Sequence, residues 1–313
     1  MQRKLKETFE LLNYSDLYTL LMLCFLMFIN LIFIFQIKHS VINLFSSLFF
    51  STAILILIYY HNKNYNKILN FFRYTYYLIA ILFIYSQFQL IIKSFRQIDY
   101  DNILIKWDVL LLGKNAGDIF SQIATPVLTE YLQIAYSLFY FLPLIVGWAL
   151  YKKQSPDLDT FIRNIMFAYF FSYFLYLIMP AIGPRFTIYD FTHLNQDLPG
   201  LFITDFLRWA INLGGGITTE TFNPIYIVNR DCMPSGHTMI TLVTIYFAYK
   251  YNVKSKHFVL FLGFSVIVAT IYMRYHYFVD ILAGICFAFI SVLIEPLWFN
   301  FIKKSTLISK LIN

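Results

Sequence analysis

Charged residues are scarce in this chain of 313 residues. Asp, Glu, Lys and Arg make up 13% of it, whereas hydrophobic residues make up 59% and the mean hydropathy is +0.63. A soluble protein of this length needs a charged exterior, and most windows of this sequence do not supply one. The composition therefore excludes an ordinary soluble protein and predicts a single integral membrane domain over residues 1–313, with the lipid bilayer as its surroundings.

Cysteine is also rare, with three residues at Cys24, Cys232 and Cys286. They are too few and too scattered for a disulfide framework, and we assign none of them a role. The net charge of +7 does not form a basic patch with interleaved aromatic residues, so no nucleic-acid partner is expected. The sequence shows no internal repeat and no low-complexity linker.

Long apolar runs are the feature that the chain has in abundance. Runs of about 20 apolar residues cross the hydrocarbon core as helices, because a helix satisfies its own backbone polar groups there. The sequence therefore predicts an all-α fold, a polytopic membrane helical bundle with about eight transmembrane helices and a range of six to eight. The eight candidate spans are 17–37, 41–60, 68–92, 131–150, 161–182, 235–251, 258–275 and 277–302.

The distribution of Lys and Arg predicts the orientation. Most of the 24 basic residues lie in segments that alternate with two long connections, 93–130 and 183–234, and cytoplasmic loops carry the excess of basic residues. We expect both termini in the cytoplasm and the two long connections outside. The stretches 100–112 and 201–213 mix apolar and charged residues, which fits either interfacial amphipathic helices or loops packed on the bundle.

Three polar clusters interrupt the hydrophobic pattern, at 183–185, 230–238 and 274–280. The predicted orientation brings all three to the outer end of the bundle. Other charged residues of the outer segments, Asp108, Lys114 and Asp231, are interpreted as solvated loop residues.

His276 and Asp280 are four residues apart, which places them on one face of a helix. The carboxylate can then accept a hydrogen bond from one imidazole nitrogen and leave the other for chemistry, as in an oriented histidine nucleophile or base. Such a pair can also be purely structural. Arg274 and a second histidine at the same membrane depth favour a functional site.

Pro234, Ser235, Gly236 and His237 open an apolar run in a way that suits a phosphate group. Proline is tolerated in a first helical turn, serine can cap or donate its hydroxyl, and glycine lets an anion approach the N–H groups at the positive helix end. The alternative is a simple helix start. Arg185 and Arg274 offer planar charged forks to phosphoryl oxygens, although either one could also anchor to lipid head groups.

Together these clusters resemble the signature of the type 2 phosphatidic acid phosphatase superfamily. Its general form is Lys-x6-Arg-Pro, then Pro-Ser-Gly-His, then Ser-Arg-x5-His-x3-Asp. The second block matches at 234–237, the third matches at His276 and Asp280, and the resemblance covers 183–284. It implies a phosphatase-like catalytic core over 131–302, preceded by N-terminal spans over 1–92 and an outer loop over 93–130.

The chain departs from that signature at four positions. Ile178 stands where the first lysine is expected, Phe186 follows Arg185 instead of proline, and Thr270 occupies the usual place of the third-block arginine. Arg274 appears two residues before His276 instead. This form resembles the branch that contains inositol phosphorylceramide synthases and, more distantly, sphingomyelin synthases, which transfer phospho-head groups between lipids.

The resemblance implies a reaction and a role for each matching residue. His276, oriented by Asp280, would form a phosphohistidine intermediate, and His237 would protonate the leaving oxygen. The phosphoryl oxygens would be held by Arg185, Arg274, Ser235 and the Gly236 amide.

The expected substrate is a lipid phosphate, and the reaction is expected to use neither a metal nor another cofactor. The active site is expected at the extracytoplasmic face of the cell (inner) membrane. The sequence leaves the oligomeric state and the choice between hydrolysis and transfer open. A polytopic transporter or a membrane scaffold is the alternative of another class. A transporter predicts charged residues near mid-membrane and two repeated halves, whereas this sequence has no repeat and its polar clusters lie at the outer end of the predicted bundle.

Overall fold

A computed structural model describes residues 11–304, except 65, 216, 219, 220 and 222. The prediction that both termini are cytoplasmic concerns the two ends of the chain, which lie outside the described residues. The described part is entirely helical, as predicted, with two short 3₁₀ turns (Phe191–His193 and Pro224–Tyr226). Its α-helices are α1 (Tyr14–Ile32), α2 (Ser40–Lys63), α3 (Lys67–Phe95), α4 (Asp101–Leu112), α5 (Ala116–Ser121), α6 (Pro126–Ser137), α7 (Phe141–Lys152), α8 (Asp157–Ile178), α9 (Pro184–Thr187), α10 (Leu194–Asp197), α11 (Thr204–Gly214), α12 (Gly236–Lys250), α13 (Lys256–Tyr272) and α14 (Phe278–Lys304).

Five of the described helices, α1, α2, α3, α8 and α14, are long and apolar enough to cross a membrane, and the pair α6 and α7 would make a sixth. The predicted spans at 235–251 and 258–275 correspond to helices of 15 and 17 residues. At 1.5 Å per residue these are shorter than a hydrocarbon core of about 30 Å. The described helices therefore supply five or six spans, just below or at the lower end of the predicted range of six to eight.

The predicted span at 131–150 is a bent pair of helices, not one continuous helix. The axes of α6 and α7 differ by 53° across a short break. Pro143 supplies the physical reason, because it has no N–H to donate to the carbonyl of Phe139 and its ring crowds that turn. The break exposes the end of α6 and residues 138–140 to the site described below.

The chain forms two compact units. The first contains Met1–Phe95, Asp159–Phe170 and Ser291–Asn313, and in it α1 and α2 pack on each other and on α3. Two ion pairs are buried here, Arg73 with Asp16 and Arg163 with Glu295. Both arginines are thus neutralised inside apolar helices, where an unpaired charge would be costly. The division into 1–92, 93–130 and 131–302 stays a prediction.

The second unit contains Arg96–Leu158 and Phe171–Ile290, and it holds all three polar clusters. Here α13 packs on α12, α6 and α5, and α11 packs on α6. The two stretches expected to be amphipathic are the helices α4 and α11. On α11 the side chains of Phe206 and Trp209 are exposed, whereas Thr204 and Arg208 are buried.

Candidate active site

The two histidines of the polar clusters meet in the second unit. Nδ1 of His237 lies 3.3 Å from Nε2 of His276, and the ring centroids are 5.5 Å apart. His237 belongs to the first turn of α12, and His276 lies in the turn between α13 and α14. Two imidazoles in direct contact at helix ends can act on one bound group.

The surroundings of His276 fix its tautomer. Its Nδ1 lies 2.9 Å from the backbone carbonyl oxygen of Cys232, which can only accept a hydrogen bond. Nδ1 therefore carries the proton, and the Nε2 lone pair of the neutral ring points toward His237. This is the orientation that a histidine nucleophile requires.

Asp280 stands close to His276, but not for the reason that the spacing suggested. His276 precedes the first residue of α14, so the two residues do not share a helix face. Instead Asp280 lies in the first turn, where its Oδ2 accepts from the Tyr277 N–H at 2.8 Å and lies 3.4 Å from Nδ1 of His276. Oδ1 is buried without a partner among the described residues. The carboxylate thus faces the ring at longer range than the Cys232 carbonyl does.

Cys232, to which we assigned no role from the sequence, takes part in this arrangement. Its thiol donates to Oδ2 of Asp280 at 2.8 Å, and its carbonyl accepts from His276. The Cys232 sulfur, His276 Nδ1 and an Asp280 oxygen lie within 4.8 Å of one another, a spacing that would also suit a metal ion. Burial and then the Asp280 charge raise the pKa of the Cys232 thiol well above its ordinary value. The donors of this cluster already bond within it, the thiol to Asp280 and Nδ1 of His276 to the Cys232 carbonyl.

His237 lies between aromatic rings that the sequence analysis did not single out. The Tyr136 ring stacks on the imidazole at 4.7 Å, and the Phe139 ring contacts it at 4.5 Å. Tyr136 also stacks on Tyr275 at 4.5 Å. The two contacts with His237 come from the last turn of α6 and from the break that follows it, so the bend in this helix pair positions the imidazole.

Ser235 caps α12, as the sequence suggested. Its hydroxyl oxygen accepts from the backbone N–H and the hydroxyl of Thr238, at 3.2 and 3.0 Å. No described residue accepts the hydroxyl proton of Ser235, which can be donated to a ligand. Pro234 precedes this cap and is not in the first turn of the helix.

Gly236, the first residue of α12, is required by a close approach. A Cβ at this position would lie 2.2 Å from the hydroxyl oxygen of Tyr176. The first-turn N–H groups of α12 have no acceptor within the helix and give this end a positive potential. The glycine therefore serves helix packing as well as any approach by an anion.

Arg185 is a buried cation that forms no ion pair with a described residue. It is 4% exposed, and its Nε has no hydrogen-bond partner among the described residues, none of which pairs a carboxylate with it. Its guanidinium lies over the rings of Phe186 and Tyr275, at 5.2 and 5.3 Å. Phe186, which replaces the proline of the signature, thus contributes a cation–π contact. An unpaired buried guanidinium is costly unless an anion binds to it.

Arg274, in contrast, already has a carboxylate partner. Its Nη1 lies 2.5 Å from Oδ2 of Asp197, and its guanidinium lies 4.1 Å from the centroid of the Tyr189 ring. Nε is buried without a partner among the described residues. A phosphoryl group would share this arginine with Asp197.

Helix α4 holds two of the polar clusters in place through carboxylates. Asp101 accepts from the backbone N–H groups of Ile182 and Gly183, at 3.0 and 2.8 Å, and from the Tyr277 hydroxyl at 2.9 Å. Asp108 accepts from Phe278 N–H at 2.9 Å and also caps the next residue of α14. Asp108 is 1% exposed, so its interpretation as a solvated loop residue is wrong. The sequence does contain a signal for this role, since the two aspartates are seven residues apart and therefore lie on one helix face.

We expect Asp108→Asn to reduce turnover on the order of 100-fold with little change in KM. The amide removes one acceptor from the start of α14, and a small displacement of His276 and Asp280 costs this much in rate. Steady-state kinetics of the purified variant would measure it. Asp190→Asn, at a residue 55% exposed in the same unit, is the control, and wild-type kinetics for Asp108→Asn would contradict the positioning role.

The fold and this site define an integral membrane protein with a histidine pair at the helix ends of one unit. The sequence profile of the PAP2 superfamily matches residues 115–294, which is more than half of the chain and includes all three polar clusters. The chain therefore belongs to the PAP2 superfamily. No curated protein and no solved structure matches it.

Proposed function

We propose that this protein is a metal-independent lipid phosphatase or phosphotransferase that acts through a phosphohistidine intermediate. The observation that carries the proposal is the contact between Nδ1 of His237 and Nε2 of His276, with the tautomer of His276 set by the Cys232 carbonyl. A lone pair aimed at a second imidazole is the arrangement that nucleophilic attack and leaving-group protonation require of two histidines.

In the first half-reaction the substrate phosphoryl group replaces the contact between the two rings, which move apart because 3.3 Å leaves no room for a phosphorus atom between the nitrogens. Nε2 of His276 forms a bond to phosphorus, the bond to the leaving oxygen breaks, and His237, present as the imidazolium, donates a proton to that oxygen and becomes neutral. His276 becomes positively charged, and the Asp280 carboxylate, 3.4 Å from its Nδ1, stabilises that charge. In the second half-reaction His237 takes a proton from water or a lipid hydroxyl, whose oxygen attacks phosphorus and releases His276.

The non-bridging oxygens require donors around the phosphorus atom. Arg185 is buried and unpaired, the Ser235 hydroxyl has a proton to donate, and the amide of Gly236 opens α12. Arg274 would add a fourth contact from the other side of the turn. Loose phosphoryl transfer depends mainly on such positioning and charge stabilisation.

A head-group transferase similar to inositol phosphorylceramide synthases is the second candidate. The position of Arg274, two residues before His276, favours it over a plain phosphatidate phosphatase. The two activities share the phosphoenzyme and differ only in the acceptor. We further propose that both termini are cytoplasmic and that the site opens at the extracytoplasmic face of the cell (inner) membrane. The support is that Lys and Arg are concentrated in the segments that alternate with the two long connections, 93–130 and 183–234.

The test uses purified protein in detergent with phosphate-labelled phosphatidate or phosphatidylinositol. Each substrate is incubated with and without ceramide or diacylglycerol, and each arm is repeated with EDTA. We expect turnover that EDTA leaves unchanged, because no step uses a metal. Release of label into water identifies a hydrolase, and a labelled lipid that forms only with acceptor identifies a transferase. Turnover lost on chelation, or absent from every arm, would refute the proposal.

A further inference from the structure

Arg208 is a second buried cation of this unit that no carboxylate among the described residues pairs with. It is 2% exposed and faces inward from α11. Its described partners are neutral: Gln133 Oε1 at 3.3 Å, the Leu194 carbonyl at 3.5 Å, Asn195 Oδ1 at 2.9 Å and Met273 Sδ at 3.6 Å. Neutral acceptors solvate a guanidinium but do not cancel its charge.

The helix that carries Arg208 is held firmly against α6. Glu130 of α6 accepts from the backbone N–H groups of Leu201 and Ile203, both at 2.8 Å, and from the Thr204 hydroxyl at 2.6 Å. These bonds cap the N-terminal end of α11. Since α6 also carries Tyr136, which stacks on His237, the position of Arg208 is fixed relative to the histidine pair.

Arg208 lies beside the turn that carries Arg274 and His276. It contacts Met273, the residue directly before Arg274 in the chain. It also contacts Leu194 at the first residue of α10, and Asp197 at the last residue of α10 pairs with Arg274. Burial lowers the pKa of Arg208, Tyr275 and the Asp205 carboxylate act in the opposite direction, and the like charge of Arg185 lowers it. Arginine nevertheless remains protonated in proteins. The turn is therefore flanked by three guanidinium groups, and among the described residues only that of Arg274 forms an ion pair with a carboxylate.

The first-block lysine of the superfamily signature is absent from this chain, and its position cannot supply an equivalent. Ile178 stands there and is 72% exposed, so its side chain points out of the unit. The usual position of the third-block arginine, Thr270, is fully buried and its hydroxyl donates to the Ile267 carbonyl. The chain thus lacks two cations of the signature at their usual places.

We propose that Arg208 is a phosphate-binding residue of the candidate active site, which supplies from α11 the positive charge that the missing first-block lysine would have supplied. This inference rests on the proposed function. A substrate phosphoryl group between the histidines would be the counter-ion that Arg185 and Arg208 both lack, so the cost of burying two unpaired charges is offset on binding. Arg208 would act on substrate affinity, because it meets the anion in the ground state.

The experiment compares wild type, Arg208→Gln, Arg208→Lys and Arg230→Gln as detergent-purified proteins. Orthovanadate, which mimics a phosphoryl group, is the probe, and its Kd and the thermal unfolding midpoint without anion are measured, followed by KM and kcat. Arg230 is the matched control because it is also fully buried in this unit but is paired with Asp99.

For Arg208→Gln we expect at least a tenfold weaker vanadate Kd, a similar rise in KM and an unfolding midpoint that is unchanged or higher, since a buried unpaired charge is removed. Arg208→Lys should recover part of the affinity. Arg230→Gln should lower the midpoint and leave the Kd unchanged, because it breaks a buried ion pair.

A wild-type Kd in Arg208→Gln would overturn this inference. If the unfolding midpoint were lowered at the same time, Arg208 would be a structural residue. Failure of the proposed function looks different: wild-type protein would not bind vanadate, or the His276→Gln variant would still turn over substrate.

Discussion

His276→Gln is expected to lower turnover of a lipid phosphate by at least about 10⁴-fold, because it removes the nitrogen from which the proposed phosphoenzyme would form. Glutamine retains a polar side chain of similar size, so the Cys232 carbonyl and Asp280 keep a neighbour that donates a hydrogen bond. The loss should therefore appear in kcat with the protein still folded. Initial rates with labelled substrate measure it.

A chemical trap makes this result specific for the intermediate. Wild-type protein mixed with phosphate-labelled substrate and quenched in alkali should carry label that acid removes, as expected of a phosphoramidate bond. His193→Gln is the matched control, since His193 is 56% exposed in the same unit. Undiminished turnover in His276→Gln, or label retained on that variant, would contradict the mechanism.

The meeting of the two histidines was predictable from the sequence because it depends on patterns that the sequence records. Apolar runs set the order of the helices, and the two motifs place His237 and His276 at helix ends on the same side of the predicted bundle. The structure brings the rings into contact. The all-helical fold follows from the same patterns.

What the sequence missed depends on partners that are distant along the chain. The spacing of His276 and Asp280 suggested a shared helix face, but Arg274 adopts a left-handed backbone conformation with φ 64° and the turn delays the start of α14. The proton of His276 goes to a backbone carbonyl, and any residue at position 232 would supply that atom. Side-chain type therefore gave no signal for the strongest contact that the ring makes.

The buried charges show the same limit. Asp108 and Arg208 lie in segments that mix apolar and charged residues, a composition equally typical of a solvated helix. They differ from solvated residues only in what packs against them. Asp108 meets the start of α14, and Arg208 meets the turn at Met273. In this unit the polar residues outside the motifs hold the motif residues in place or, as we propose for Arg208, bind the same anion.

The role of His237 predicts a dependence on the leaving group. His237→Gln should lower turnover of an alkyl phosphate by about 10²- to 10⁴-fold, because the departing alkoxide needs a proton. Turnover of a nitrophenyl phosphate that carries an alkyl chain of similar length should fall less than about tenfold, because nitrophenolate leaves without protonation. The ratio of the two losses is measured with both substrates on the same preparation.

His276→Gln provides the internal comparison, since a missing nucleophile must slow both substrates equally. Equal losses for the two leaving groups in His237→Gln would instead assign this histidine to phosphate binding or to packing between Tyr136 and Phe139. A loss confined to the alkyl phosphate would identify His237 as the proton donor to the leaving oxygen. The two variants together separate formation of the phosphorus–nitrogen bond from release of the leaving oxygen.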